Sequence, residues 1–164
     1  MKQIKKEKEK GYNNLVSEIG ELLKESRNRY AVATNTILVK TYWHIGRYIV
    51  LYEQNGESKA IYGDELINRL STDLRQKFGR GFSRSNLFMI RQFYLKFPKI
   101  QTVSELLSWS HYVELLKLDD VLEMKFYAKQ CENEHWSVRE LKASETACSF
   151  TDLLSGKIKK ILKN

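Results

Sequence analysis

Three features of the sequence predict an all-α fold. Pro98 is the single proline in 164 residues, apolar residues recur at helical spacing along much of the chain, and no stretch of strict apolar and polar alternation is long enough for a convincing strand. A 42% hydrophobic content can supply one compact core at this length, which favours one domain with helical extensions. The expected organisation is a charged, frayed lead over 1–11, a helical domain over 12–150, and a basic tail or helix over 151–164. Within the domain, an arm over 12–53 precedes a bundle over 63–146.

The arm rests on Leu15, Val16, Ile19, Leu22 and Leu23, whose stripe is taken up by Ile37, Leu38, Thr41, Tyr42, Ile45, Ile49 and Tyr52. Asn13 to Glu53 therefore reads as one long helix or two in line, and its length invites a partner helix. Gly46, inside "YWHIGRYI", costs about 1 kcal/mol relative to alanine in a helix interior. Close approach of another helix to its bare backbone is the expected compensation. The lead "MKQIKKEKEK" is charged and has no apolar centre; its sharper reading is a phosphate-binding arm.

"EQNGESKAIYG" (Glu53 to Gly63) reads as a loop. After it, Leu66, Ile67, Leu70, Leu74 and Phe78 line one face of a helix that stops at Gly79. Ser83 is the expected N-cap of the next helix, with Phe82 and Leu87 as its hydrophobic staple. Trp109-Ser110 begins another helix, Asp119 is a candidate N-cap, and Trp136, Ser137, Glu140 and Leu141 form a capping box with a staple. Phe82, Trp109 and Trp136 are evenly spaced, but the residues that follow them do not match, so the likeness is one of capping chemistry and not an internal repeat.

Charge is unevenly distributed. The net charge of +8 and pI near 9.4 favour a polyanionic partner or an anionic membrane surface. Seven cations and no carboxylate lie from Arg75 to Lys99, whereas Ser104 to Glu134 carries seven acids against three lysines. In "RGFSRSNLFMIRQF" (Arg80 to Phe93), a helix entered through Ser83 divides its rings between faces. Asn86, Leu87, Ile90, Phe93, Tyr94 and Phe97 fall on one side, and Arg84, Ser85, Phe88, Arg91, Gln92, Leu95 and Lys96 on the other. A helix, a short turn and a second helix with cations in its first turn match the outline of a helix-turn-helix. The candidate DNA contacts are Arg80, Arg84, Ser85, Arg91, Gln92 and Lys96 for phosphates or base edges, and Phe88 for apolar contact. The helix pair from Asp119 through Ser137 is more acidic and reads as a packing hairpin.

Cys131 and Cys148, without an apolar signal peptide, fit a reducing cytosol, and the expected compartment is cytoplasmic. No apolar run approaches the roughly 20 residues of a membrane span. Cys131, His135 and Cys148 fall short of the four closely spaced ligands of a structural zinc site, so neither metal nor cofactor is expected. His44 and His111 lie among aromatics without an acid or nucleophile at motif spacing and read as packing residues.

The strings "YWHIGRYI", "YGDELINRLSTDL", "GFSRSNLFMIRQFY", "LLSWSHYVELL", "FYAKQ" and "HWSVREL" resemble, in order, the N-terminal domain of the YhcG family over about Tyr12 to Phe150. In that family the helical domain usually precedes a PD-(D/E)xK nuclease domain and is regarded as a DNA-binding or targeting module. The resemblance implies that role here, with the nuclease carried by another chain or lost by truncation. Catalysis is not expected from this chain. A PD-(D/E)xK site sets carboxylates and a lysine on sheet strands, and a matching string, Glu123-Met124-Lys125, lies in a helical pattern. The leading expectation is a DNA-binding module accessory to a nuclease. The competing one is an assembly module whose arm pairs with a second copy and whose basic face meets an acidic partner.

Overall fold

The computed structural model describes residues 2–54 and 62–147, and these form six α-helices, one 3-10 turn and no strand. The middle of the expected 53–63 loop, the 151–164 tail and Cys148 lie outside the described residues. The all-α expectation holds.

A single helix, α1 (Lys2–Gln54), takes up both the arm and the lead. The lead is helical from Lys2, as its Lys, Glu and Gln residues are good helix formers and nothing before Gly11 interrupts them. It is followed by α2 (Tyr62–Phe78), α3 (Arg84–Lys96), a 3-10 turn (Ile100–Thr102), α4 (Trp109–Leu115), α5 (Val121–Glu134) and α6 (Val138–Ala147).

The bundle is organised around α3, which packs most extensively on the C-terminal half of α1. One side of α3 gives Leu87 and Ile90 to a cluster with Tyr42, Ile49 and Ile67. Its later residues Phe93 and Phe97 join Val39, Trp43, Tyr112, Leu115, Met124, Tyr127 and Leu141 in the main core. Phe93 is at the centre, with ring centroids 4.6 Å from Tyr112, 5.4 Å from Phe97 and 5.5 Å from Trp109. Such tilted and edge-on pairs contribute about 0.5–1.5 kcal/mol each beyond their burial. The buried indole of Trp43 donates from Nε1 to the Phe97 carbonyl at 2.6 Å, pinning α1 to the end of α3.

Gly46 behaves as its position in the sequence suggests. A Cβ there would stand 2.3 Å from the Ile90 carbonyl oxygen and 3.0 Å from Tyr94 Cβ. Only a bare backbone allows α1 and α3 to cross so closely.

Two expectations need adjustment. The stripe does not continue unchanged through α1: Leu15, Val16, Ile19, Leu22 and Leu23 are exposed, and burial begins only at Val39. The N-cap of α5 is Asp120 and not Asp119, because it is the Asp120 carboxylate that accepts the Leu122 amide, at 2.7 Å.

Candidate nucleic-acid interface

The α2–α3 corner is built residue by residue. Gly79, at φ 80°, ends α2 in the left-handed region and donates its amide to the Arg75 carbonyl at 3.0 Å. Gly81, at φ 116°, completes the turn in a conformation that L side chains rarely adopt. Ser83 caps α3, its Oγ accepting the Asn86 amide at 3.2 Å. The cap is locked from outside as well. Asn86 donates from its side chain to the Gly81 carbonyl and accepts the Trp109 indole N–H at 2.9 Å, and Ser71 Oγ donates to the Phe82 carbonyl at 2.9 Å. A turn braced by three elements holds the residues around it in fixed positions.

Those residues include four of the seven candidates. Arg80, Arg84, Ser85 and Phe88 are exposed on or beside this turn. Arg84 has one loose acidic neighbour, Asp64, at 3.5 Å with both side chains largely in solvent, and such a pair contributes little. Phe88 keeps 45% of its surface accessible, while Leu87, Ile90 and Phe93 on the opposite side are fully buried.

Arg91 and Lys96 have structural work instead. Arg91 Nε donates to both carboxylate oxygens of Glu53, at 2.9 and 2.7 Å, in a half-buried pair that ties α3 to the end of α1. Lys96 Nζ donates to the carbonyls of Leu116 and Leu118, at 3.2 and 2.7 Å, and so caps the C-terminus of α4 with a cation. Gln92 is half-buried. The seven candidates therefore do not form one surface: the first turn of α3 presents its group outward, and the later cations serve the fold. Sequence periodicity places six of the seven on one side of the helix, with Arg80 in the turn before it, but cannot find Glu53 thirty-eight positions upstream, nor carbonyls that follow a later helix.

The other polar groups have local roles. His111 Nδ1 accepts the Ser108 amide at 3.1 Å and Nε2 donates to the Trp136 carbonyl at 3.0 Å, which fixes its tautomer and joins α4 to the entrance of α6. Ser137 and Glu140 make the expected reciprocal box: the Ser137 amide donates to Glu140 Oε2 at 2.6 Å, and the Glu140 amide to Ser137 Oγ at 3.3 Å. These bonds hold the Glu140 carboxyl below the ordinary range. Glu114 is buried, which disfavours its charge, but Lys117 and Lys142 outweigh that and hold its carboxyl low. Burial pushes the Cys131 thiol up to about 11. Glu123-Met124-Lys125 lies within α5, with Met124 fully buried. Among the described residues, no three His, Cys, Asp or Glu side chains are grouped to hold a metal ion, and no helix is long and apolar enough to cross a membrane.

A separate apolar groove of about 660 Å³ lies between α1 and α2. Ile45, Tyr48, Tyr52, Leu70 and Phe78 line it, with Arg69 and Asp73 at its polar positions. Periodicity does not reveal this groove, because it depends on how far apart α1 and α2 lie.

Comparison with known proteins gives the same relationship that the sequence strings suggest. The chain is 34% identical over 163 residues to the protein named "Putative nuclease YhcG" from Escherichia coli (strain K12), an alignment covering 80% of this chain and 44% of that protein. It therefore spans less than half the length of this relative. No solved structure matches the chain. The family description "DUF1016 N-terminal domain" matches residues 18–151, and that span covers every helix of the bundle. The chain belongs to the DUF1016 family, through its N-terminal domain.

Proposed function

We propose that this chain is a DNA-binding, targeting module that serves a nuclease. The observation that carries the reading is the braced α2–α3 corner, which presents Arg80, Arg84, Ser85 and Phe88 to solvent within a segment free of carboxylates from Arg75 to Lys99. Arginines at a helix start suit phosphate contact, the unsatisfied amides of a first helical turn add to it, and an exposed ring among cations suits a base or sugar face. Similarity to a protein named as a nuclease supports the association with DNA cleavage. On this reading the chain positions DNA and does not cut it, and hydrolysis belongs to a nuclease domain.

The test is fluorescence anisotropy of labelled duplex and single-stranded DNA across a salt series, comparing wild type with Arg80→Ala/Arg84→Ala. Wild-type binding should weaken steeply with salt. The double variant should bind about tenfold or more weakly, with a log–log salt slope smaller by about 2, since each neutralised phosphate contributes about 0.9. Unchanged affinity and slope in the variant would sink the reading. Incubation of the purified chain with DNA and Mg²⁺ should leave the DNA intact; metal-dependent cleavage would show an active site of its own.

A further inference from the structure

The helix α1 changes the side on which it is apolar. From Val39 onward its buried residues, Val39, Tyr42, Trp43, Gly46, Ile49 and Val50, face α3 and the two clusters of the core. Advancing ~100° per residue, the apolar residues of the arm fall roughly 160° from that buried side. They are Tyr12, Val16, Ile19, Leu23, Tyr30 and Ile37, between 49% and 75% exposed. Every residue from Lys10 to Thr34 is exposed. Up to Tyr30 the stripe thus points away from the core of the chain's own bundle, and at its end Ala33 and Ile37 border a hollow shared with Glu105.

The spacing is that of a seam between helices. With Ser26 and Ala33 filling the two intermediate positions, the stripe steps by four and three alternately from Tyr12 to Ile37, as in a heptad repeat, and no Asp, Glu, Lys or Arg stands on it. Leu15 and Leu22, 52% and 63% exposed, widen one flank. Eight apolar side chains of this size and exposure offer roughly 100 Å² each, so about 800 Å² per copy, which is what each partner contributes to a stable interface.

We propose that the arm of α1 is a dimerisation seam that packs against the arm of a second copy of this chain. A second copy suits the surface because the stripe carries no charge, so two identical stripes meet without repulsion. Of the two arginines that flank it, Arg29 is paired with Glu25 of its own helix at 2.8 Å, and Arg27 borders the other edge. Off the stripe the arm carries Glu18, Glu21 and Glu25 against Lys10, Lys24, Arg27 and Arg29, a nearly even balance that lacks the cationic excess favoured by an anionic membrane surface or a nucleic acid. The core lies on the far side of α1, and α2 meets the stripe's side only from Ile45 onward, where Ile45, Tyr48 and Tyr52 line the groove, so the stripe from Tyr12 to Tyr30 is left open. This inference is independent of the DNA-binding reading, since it concerns a different surface and is tested without DNA.

The test is sedimentation equilibrium of the purified chain from low to high micromolar concentration. Wild type should approach twice its 19.4 kDa mass. Ile19→Lys/Leu23→Lys, and separately Tyr30→Glu, should give the monomer mass with circular dichroism still showing a helical bundle. Glu21→Gln/Glu25→Gln, on the opposite side, should still dimerise. A wild type that stays monomeric throughout, or a dimer indifferent to both stripe variants, would overturn the proposal. So would a monomer whose arm binds anionic vesicles.

Discussion

Gly20 and Gly46 stand in the same helix and mean opposite things. Around Gly20 nothing lies within 4 Å of where a Cβ would be, whereas at Gly46 a Cβ would meet the backbone of α3. The arm half of α1 is exposed from Lys10 to Thr34 and first bonds to the bundle at Thr36, whose hydroxyl donates to the Glu105 carbonyl at 3.2 Å; the other half is the wall on which the bundle is built. One secondary structure thus serves two solvents, water along the arm and protein along the bundle. A residue's effect depends on which half holds it.

The strongest challenge to that contrast is Gly46→Ala. The Ile90 carbonyl has no room to retreat, so we expect a loss of about 3 kcal/mol, read from urea denaturation. A loss below about 1 kcal/mol would mean that α1 and α3 do not cross as closely as described. Next comes Arg91→Ala, which leaves the half-buried Glu53 carboxylate without its cation and should cost about 1–3 kcal/mol in the same assay. Its DNA affinity, measured where the variant is folded, should stay close to that of wild type, in contrast to Arg80→Ala/Arg84→Ala. Smaller still is Gly20→Ala, which should stabilise the arm by about 0.5–1 kcal/mol. It should appear as slower amide hydrogen exchange along the arm, with the bundle's denaturation midpoint unmoved.

Acid sharpens the same contrast. The Glu114 carboxyl is held low in the fold, so its contribution is present above the ordinary carboxylate pKa and is lost as pH falls through that range. Glu145 opposes it: burial and the neighbouring Glu114 raise its carboxyl, a penalty that is relieved on acidification. Glu145→Gln should therefore make the bundle's melting temperature fall more steeply as pH drops toward the ordinary carboxylate pKa from above, and Glu114→Gln should make it fall less steeply below that pKa.

Local chemistry was the most legible part of the sequence. Ser83, Ser137 and Gly79 could be read from nearest neighbours, because a cap or a helix stop is decided within a few residues. The core side of α3 was legible for the same reason, since Leu87, Ile90 and Phe93 follow a short period. What could not be read were decisions made at a distance. Arg91 looks like a surface cation until Glu53 is placed beside it, and Lys96 until the carbonyls of Leu116 and Leu118 are. The reversal of the apolar side of α1 was present in the sequence, but the stripe runs on smoothly unless Val39, Trp43 and Val50 are weighed against Tyr48 and Tyr52, and only burial separates those sets. The candidate site was accordingly half legible: its exposed group sits where a cap fixes it, and its later cations were claimed by the fold.

A helix rises about 1.5 Å per residue, so some 50 Å of rod separates Tyr12 from the crossing at Gly46. That span is close to one and a half turns of B-form DNA, which repeats every 34–36 Å. In two copies proposed to pair along the stripe, the direction of pairing would set the reach: parallel rods would put the two basic corners side by side, and antiparallel rods would put them at opposite ends of the seam. On both proposals together, a DNA that reaches both corners would bind more tightly than one that reaches a single corner, so the length of the arm would bear on which DNA is held.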